Sequence, residues 1–282
     1  MRKNAGSLPV KAVMIGPTVL WLLIFLLAPL FIVVGISFMT KNSHGGVNMP
    51  LTLEAYGSMA NVDYVLIFLR SMWLAFKTTI LCLVFGYPLA AVIAHSSKNV
   101  KPILVLMVML PFWINSMIRL YGWMTMLRGE GIINTLLANI GIEPLEMLYT
   151  DGAVLLGMVY ELLPFAVLPL YTSIEKIDPS LLEAACDLGA AKRRSFMRVT
   201  LPLTMPGIFA ASIQTFIPAL GLFYVSDMLG GGSSMYLGNL IKNQFLSARN
   251  WPLGAALSLL LIAVTIILMR LYTRVGKLDD IV

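Results

Sequence analysis

The sequence predicts an all-α integral membrane protein with six transmembrane helices and both termini in the cytoplasm. Three observations predict it. First, 59% of the 282 residues are hydrophobic, only 12% are charged, and the mean hydropathy is +0.85, a composition outside the range of water-soluble domains. Second, several stretches reach the 20 or so mostly apolar residues that a helix needs to cross a hydrocarbon core, where lipid offers no partner to a free backbone group. Third, Lys and Arg are distributed unevenly between alternate loops.

In chain order the expected helices are Val13 to Phe38, Val65 to Ala94, Ile103 to Leu127, Ala153 to Ser173, Leu203 to Ser226 and Leu253 to Tyr272. Arg2 and Lys3 ahead of the first run suggest a signal peptide. The run is longer than a signal core and no small-x-small site closes it, so a retained anchor is expected. Prolines 88, 111, 164, 169, 206 and 218 fall inside these helices, where each removes a backbone donor and makes a kink possible. With the N-terminus inside, thirteen of the twenty basic residues lie on the cytoplasmic side, among them Lys98, Lys101, Lys176, Lys192, Arg193, Arg194 and Arg198. Only Lys41, Arg128, Lys242 and Arg249 lie outside, while Arg70, Lys77 and Arg119 fall within helices. This retention signal accounts for the net charge of +6 without nucleic acid as a partner. Gly45-Gly46 and Gly230 to Gly232 mark outer loops, and Cys82 and Cys186 lie in different compartments, too far apart in setting to form a disulfide framework. The segments expected are 1–64 (N-terminal segment, first helix, outer loop), 65–275 (transmembrane domain, with a cytoplasmic loop at 174–202) and 276–282 (tail).

That cytoplasmic loop is the most informative stretch. Asp178 is a good N-cap, Pro179 suits the first helical position, and Ser180 to Leu188 contains tolerable helix formers. Gly189 supplies a stop; a second short helix can run from Ala190 through Val199, with Pro202 limiting its extension. Leu182, Ala185, Cys186 and Leu188 give an apolar side and Glu183, Asp187 and the basic residues a charged one, a pattern that suits docking in a partner's groove or lying on anionic lipid. Enzyme signatures fail. The only Gly-Lys, Gly276-Lys277, is followed by Leu278 and makes no phosphate loop. His44 and His95 are too far apart for a zinc motif, and no G-x-S-x-G elbow occurs.

Glu183-Ala184-Ala185, then Gly189, Val199, Leu201 and Pro202, resemble the cytoplasmic coupling loop of binding-protein-dependent ABC importer permeases at every fixed position. Pro111 to Tyr121 (PFWINSMIRLY), Leu163 to Asp178 (LPFAVLPLYTSIEKID), Pro218 to Gly232 (PALGLFYVSDMLGGG) and Arg249 to Pro252 (RNWP) narrow the likeness to the permease subunit of spermidine/putrescine importers. The resemblance covers nearly the whole chain. It implies a type I ABC importer transmembrane domain in a bacterial inner membrane. Expected partners are a homologous second permease, two ATP-binding subunits, a periplasmic or extracellular polyamine-binding protein and membrane lipid. It implies that ATP and magnesium are bound by the partner ATPase, with no cofactor and no catalysis in this chain. Coupling is then expected at Glu183, Ala184, Ala185, Asp187, Gly189, Leu201 and Pro202.

A polyamine's ammonium groups lose water on entry and need acceptors or aromatic faces in exchange. Glu161, midway along the fourth helix, is the first candidate for such a path, with an ion pair to Arg119 or Lys77 as its alternative. Asp227 is the second, with plain solvation at a helix end as its alternative. Tyr160, Trp113, Tyr121 and Tyr224 have suitable ring types, though Trp and Tyr also serve as interfacial anchors. An ABC permease for another solute shares the coupling loop without needing Glu161 or Asp227. A stand-alone channel or scaffold would need neither the loop nor an ATPase.

Overall fold

A computed structural model describes residues 7–42, 45–232 and 234–276. They form two compact units. One holds the chain up to Val62 together with Ile241–Ala263; the other holds Asp63–Leu240 and the chain from Val264 onward.

In the first unit, α1 (Ser7–Leu22) runs through a π-helical turn at Leu23–Leu27 into α2 (Ala28–Ser37). None of the apolar window within Ile15–Ser37 is buried, as suits a helix whose solvent is lipid. Past it, β1 (Thr40–Lys41) and β2 (Val47–Asn48) pair antiparallel, and α3 (Glu54–Ser58) brings the Tyr56 hydroxyl within 2.8 Å of the buried Ser37 Oγ.

The second unit positions the site. α4 (Val62–His95) and α8 (Asp151–Glu175) are unbroken despite Pro88, Pro164 and Pro169. Membrane helices tolerate such prolines because neighbours re-satisfy or shield the freed carbonyls. Thr150 caps α8 by accepting from the Ala153 amide at 3.2 Å. Small residues set its packing: an ideal Cβ on Gly207 of α12 (Met205–Gly221) would fall 2.3 Å from Ser173 Cβ, and one on Gly157 would fall 2.4 Å from Leu229 Cδ1 of α13 (Phe223–Gly230). The core around them is Leu74, Leu120, Leu127, Val154, Met158, Val225 and Leu229. Thr215 donates to Thr79 Oγ1 at 3.3 Å, a polar link between α12 and α4.

Three expectations need correction. The third helix is not straight: α5 (Lys101–Met109) tightens into a 3₁₀ turn at Leu110–Trp113, and the chain resumes as α6 (Ser116–Leu127) and α7 (Ile132–Asn139), bent by 89° from the first half. Pro111 cannot donate in the last turn, Ile114 is extended, and Asn115 opens a new helix by accepting from the Met117 amide at 2.9 Å. The fifth helix is likewise broken. A 64° bend at Thr204 marks its start, close to the Leu203 expected, but it ends at Gly221, so Asp227 belongs to the separate α13, closed by Gly231 at φ +57°. Finally, the second loop helix runs past Val199 and through Pro202 before it stops at Leu203. α10 (Lys192–Ser195) widens to a π turn at Phe196–Thr200 and continues through α11 (Leu201–Leu203), because that wider turn makes room for a ring with no amide hydrogen. Among the described residues four helices can cross a membrane, or six when each bent pair counts as one span: Ile15–Ser37, Val62–His95, Lys101–Asn139, Asp151–Glu175, Lys192–Gly221 and Trp251–Tyr272. The last lies in α15 (Trp251–Gly276), to which α14 (Leu237–Leu246) leads.

Candidate functional site: a buried ion pair and a loop elbow

The 89° break has a consequence for charge. It places Arg119, on the first turn of α6, against Glu161 of α8, with Nη2 2.7 Å from Oε2 and only 5% of either side chain exposed. The Ser116 hydroxyl accepts from the same Nη2 at 2.9 Å and donates to Oε2 at 3.2 Å. The Arg119 guanidinium also stands 5.4 Å from the centre of the Tyr160 ring, which Trp123 meets edge-on at 5.5 Å. Tyr224 of α13 hydrogen-bonds Ser116 and lies close enough to feel both charges. The pair is incompletely satisfied. Glu161 Oε1 and Arg119 Nε are buried with no hydrogen-bond partner. Pro164, lacking an N–H, also leaves the Tyr160 carbonyl without its usual helical donor.

One turn along α13 from Tyr224, Asp227 accepts from Asn239 Nδ2 at 2.5 Å. Asn239 is itself fixed by the Ser226 hydroxyl at 2.7 Å and the Phe223 carbonyl at 3.1 Å, so this carboxylate is anchored through side chains. Trp113 (76% exposed) and Tyr121 (61%) point outward and are not brought to the carboxylate. Of the residues expected on a cation path, Glu161, Tyr160 and Tyr224 meet; Asp227 lies on the same helix as Tyr224; Trp113 and Tyr121 stand apart. Three members were missed: Ser116, Trp123 and Asn239. The i, i+3 spacing of Ser116 and Arg119 was the available signal for the first. Also missed was a polar cavity of about 330 Å³ lined by Arg70, Lys77, Asp151, Ser234 and Tyr236, in which the Ser234 and Tyr236 hydroxyls donate to Asp151. Burial first, then the neighbouring carboxylate, pushes the Tyr236 hydroxyl above the usual tyrosine range.

At the other end of α8, Asp178 caps α9 (Pro179–Asp187), accepting from the Ser180 amide at 2.9 Å. That amide, with the Ser180 hydroxyl, holds the Asp178 carboxyl below the usual carboxylate range. α9 closes by the bond pair of a Schellman turn: the Gly189 amide donates to Cys186 O at 2.8 Å and the Ala190 amide to Ala185 O at 3.0 Å. This requires φ +77° at Gly189. Leu182 and Ala185 are half-buried; Leu182 joins Ile174, Ile177, Phe196 and Thr200 around a cavity of about 460 Å³. Glu183, Ala184, Asp187, Gly189 and Pro202 are exposed, Leu201 is half-buried, and of the expected apolar side Cys186 and Leu188 (89%) are exposed. The elbow therefore offers Leu181, Leu188 and two carboxylates outward on a rigidly closed helix.

Residues 10–278 match the family described as binding-protein-dependent transport system inner membrane component. The chain belongs to this family. Among its relatives it is 43% identical over 267 residues to the spermidine/putrescine transport system permease protein PotB of Escherichia coli K12, covering 94% of this chain and 97% of that one. Identity to the protein of the same name from Haemophilus influenzae is 44% over 260 residues, with 92% and 91% covered. Among solved structures, a membrane chain of a bacterial ABC transporter that imports the acidic polysaccharide alginate superposes with a TM-score of 0.73 at 19% identity, covering 95% of both chains. At that identity the likeness speaks for the fold alone, the type I ABC importer membrane domain. This family member is a multi-pass membrane protein.

Proposed function

We propose that the chain is the permease subunit of an ATP-driven polyamine importer in a bacterial inner membrane. In this reading it works with a homologous second permease, two ATP-binding subunits and a polyamine-binding protein on the outer side. The observation that carries the proposal is the full-length 43% identity to spermidine/putrescine permeases. Physical chemistry supports it: an intramembrane carboxylate with an uncommitted oxygen, bordered by the Tyr160 and Tyr224 rings, is a costly arrangement that suits a dehydrating ammonium group.

Both termini lie in the cytoplasm, and α9 docks on the partner ATPase, where ATP and magnesium are held. Glu183, Ala184, Ala185, Asp187 and Gly189 form the docking helix and its closure, with Leu201 and Pro202 on the rising limb behind it. ATP-driven closure of the ATPases moves this elbow as a rigid body and opens the path outward, since the two ATPase states contact it differently. Glu161, Tyr160 and Tyr224 carry the cation through the bilayer, and Asp227 meets it on arrival; Trp113 and Tyr121, which stand apart, serve as anchors.

Uptake of radiolabelled spermidine and putrescine by cells expressing the chain with its neighbouring subunits tests this, against the same cells carrying Glu183→Lys. Uptake that depends on Glu183 is expected. An assembled complex that takes up neither polyamine would defeat the substrate assignment, and full uptake by Glu183→Lys would defeat the docking helix.

A further inference from the structure

We propose that Arg119 is the resident occupant of the cation site at Glu161, a specificity-determining residue that an incoming ammonium group must displace; this rests on the polyamine reading above. An ion pair built only to hold two helices together in a low-dielectric interior gains most when it is bidentate and every N–H and lone pair is met. This one is neither. Arg119 reaches one oxygen of Glu161 through one nitrogen, at 2.7 Å, while Oε1 and Nε are left buried and unmet. The carboxylate therefore has an open coordination position. The guanidinium has contacts beyond the carboxylate, with Ser116 Oγ 2.9 Å from it and the centre of the Tyr160 ring 5.4 Å from it, and these remain within its reach when a cation takes its place on Glu161.

The backbone allows the exchange. Arg119 sits one turn into a helix that starts afresh at Asn115 beyond the 89° break, so α6 and α5 are not one continuous rod. Glu161 is on α8, which is unbroken. Substituting one cation for another keeps the carboxylate compensated at every stage, whereas a neutral or anionic solute has nothing to give Glu161 in place of Arg119. A primary ammonium, with three donors, reaches Oε1 and retains donors for the Tyr160 carbonyl freed by Pro164. Arg119 thus selects for cations by being one.

A tethered competitor lowers the apparent affinity by the fraction of time it vacates the site. The test is thermal unfolding of the purified complex, without binding protein, against rising spermidine in wild type, Arg119→Gln and Glu161→Gln. In Arg119→Gln the spermidine concentration giving half the maximal stabilisation is expected to fall about tenfold or more, as when the site is open a tenth of the time or less. In Glu161→Gln the stabilisation is expected to vanish. Should Arg119→Gln fail to assemble, growth and extraction with spermidine is expected to recover it, since the polyamine replaces the missing cation; recovery by sodium chloride alone, or no recovery, overturns the proposal. An assembled Arg119→Gln complex with an unshifted or higher half-saturating concentration also overturns it. Failure of wild type to take up polyamine overturns the substrate reading instead, so the two failures are separable.

Discussion

Glu161 and Arg119 are each tolerable in the membrane because of the other. With both side chains 5% exposed, removing one partner strands a charge, a cost on the order of 3–5 kcal/mol, whereas removing both strands none. We therefore expect Glu161→Gln to lower the yield of assembled complex, and Glu161→Gln with Arg119→Gln to restore it while uptake stays at least about tenfold below wild type. Size-exclusion profiles alongside polyamine uptake check both halves. A double variant that assembles and transports normally would leave the pair no role beyond packing. Asp227 differs in kind: it is half-exposed and held by Asn239 at 2.5 Å, so Asp227→Asn strands no buried charge.

At the scale of elements, the loop helix depends on one backbone conformation. Gly189 stands at φ +77° with no atom within 4 Å of an ideal Cβ, so a side chain there meets strain rather than a clash. A β-branched residue in that region costs on the order of 1–3 kcal/mol. Gly189→Val should still insert and assemble but lose most uptake, and Gly189→Asn, which tolerates the left-handed region, should recover part of it; equal uptake by the two would show that the turn is dispensable. The elbow was legible in the sequence because caps and stops are local: Asp178, Pro179 and Gly189 act within one turn of themselves. The six apolar segments were legible for the same kind of reason, since span length is set by the bilayer. The breaks at Ile114 and Leu222 were not. Hydropathy averages across them, and Pro88, Pro164 and Pro169 show that a proline alone does not say whether a helix stops; neighbouring packing decides. Arg119 could be listed against Glu161 but not placed there, because the contact spans 42 residues and depends on the 89° turn. Trp123 and Asn239 carry no sequence signal that separates them from ordinary core residues.

Across the whole molecule, α8 is the element that both loci share. Glu161 lies fourteen residues before its end at Glu175, about 21 Å along the axis, and Asp178 opens α9 three residues later. Gly207 packs directly against Ser173 near that end, and Lys101 pairs with Glu175 at 3.0 Å, so the lower half of α8 is clasped on two sides. The Lys101 pair is partly exposed and contributes at most about 1 kcal/mol, which makes the close glycine contact the stronger clasp. A rod held in this way passes a displacement of the elbow to the ion pair without needing a chain of intermediate contacts. The requirement is stiffness at the junction of α8 and α9, the short turn from Lys176 to Asp178. Inserting two glycines after Lys176 leaves both helices, the Asp178 cap and the Glu161 pair intact while removing that stiffness. We expect the resulting complex to assemble and to keep its spermidine-dependent thermal stabilisation, while polyamine-stimulated ATP hydrolysis in proteoliposomes falls about tenfold or more. Unchanged stimulation would mean that the ATPase reaches the membrane path through another part of the protein, and that the unbroken course of α8 serves packing alone.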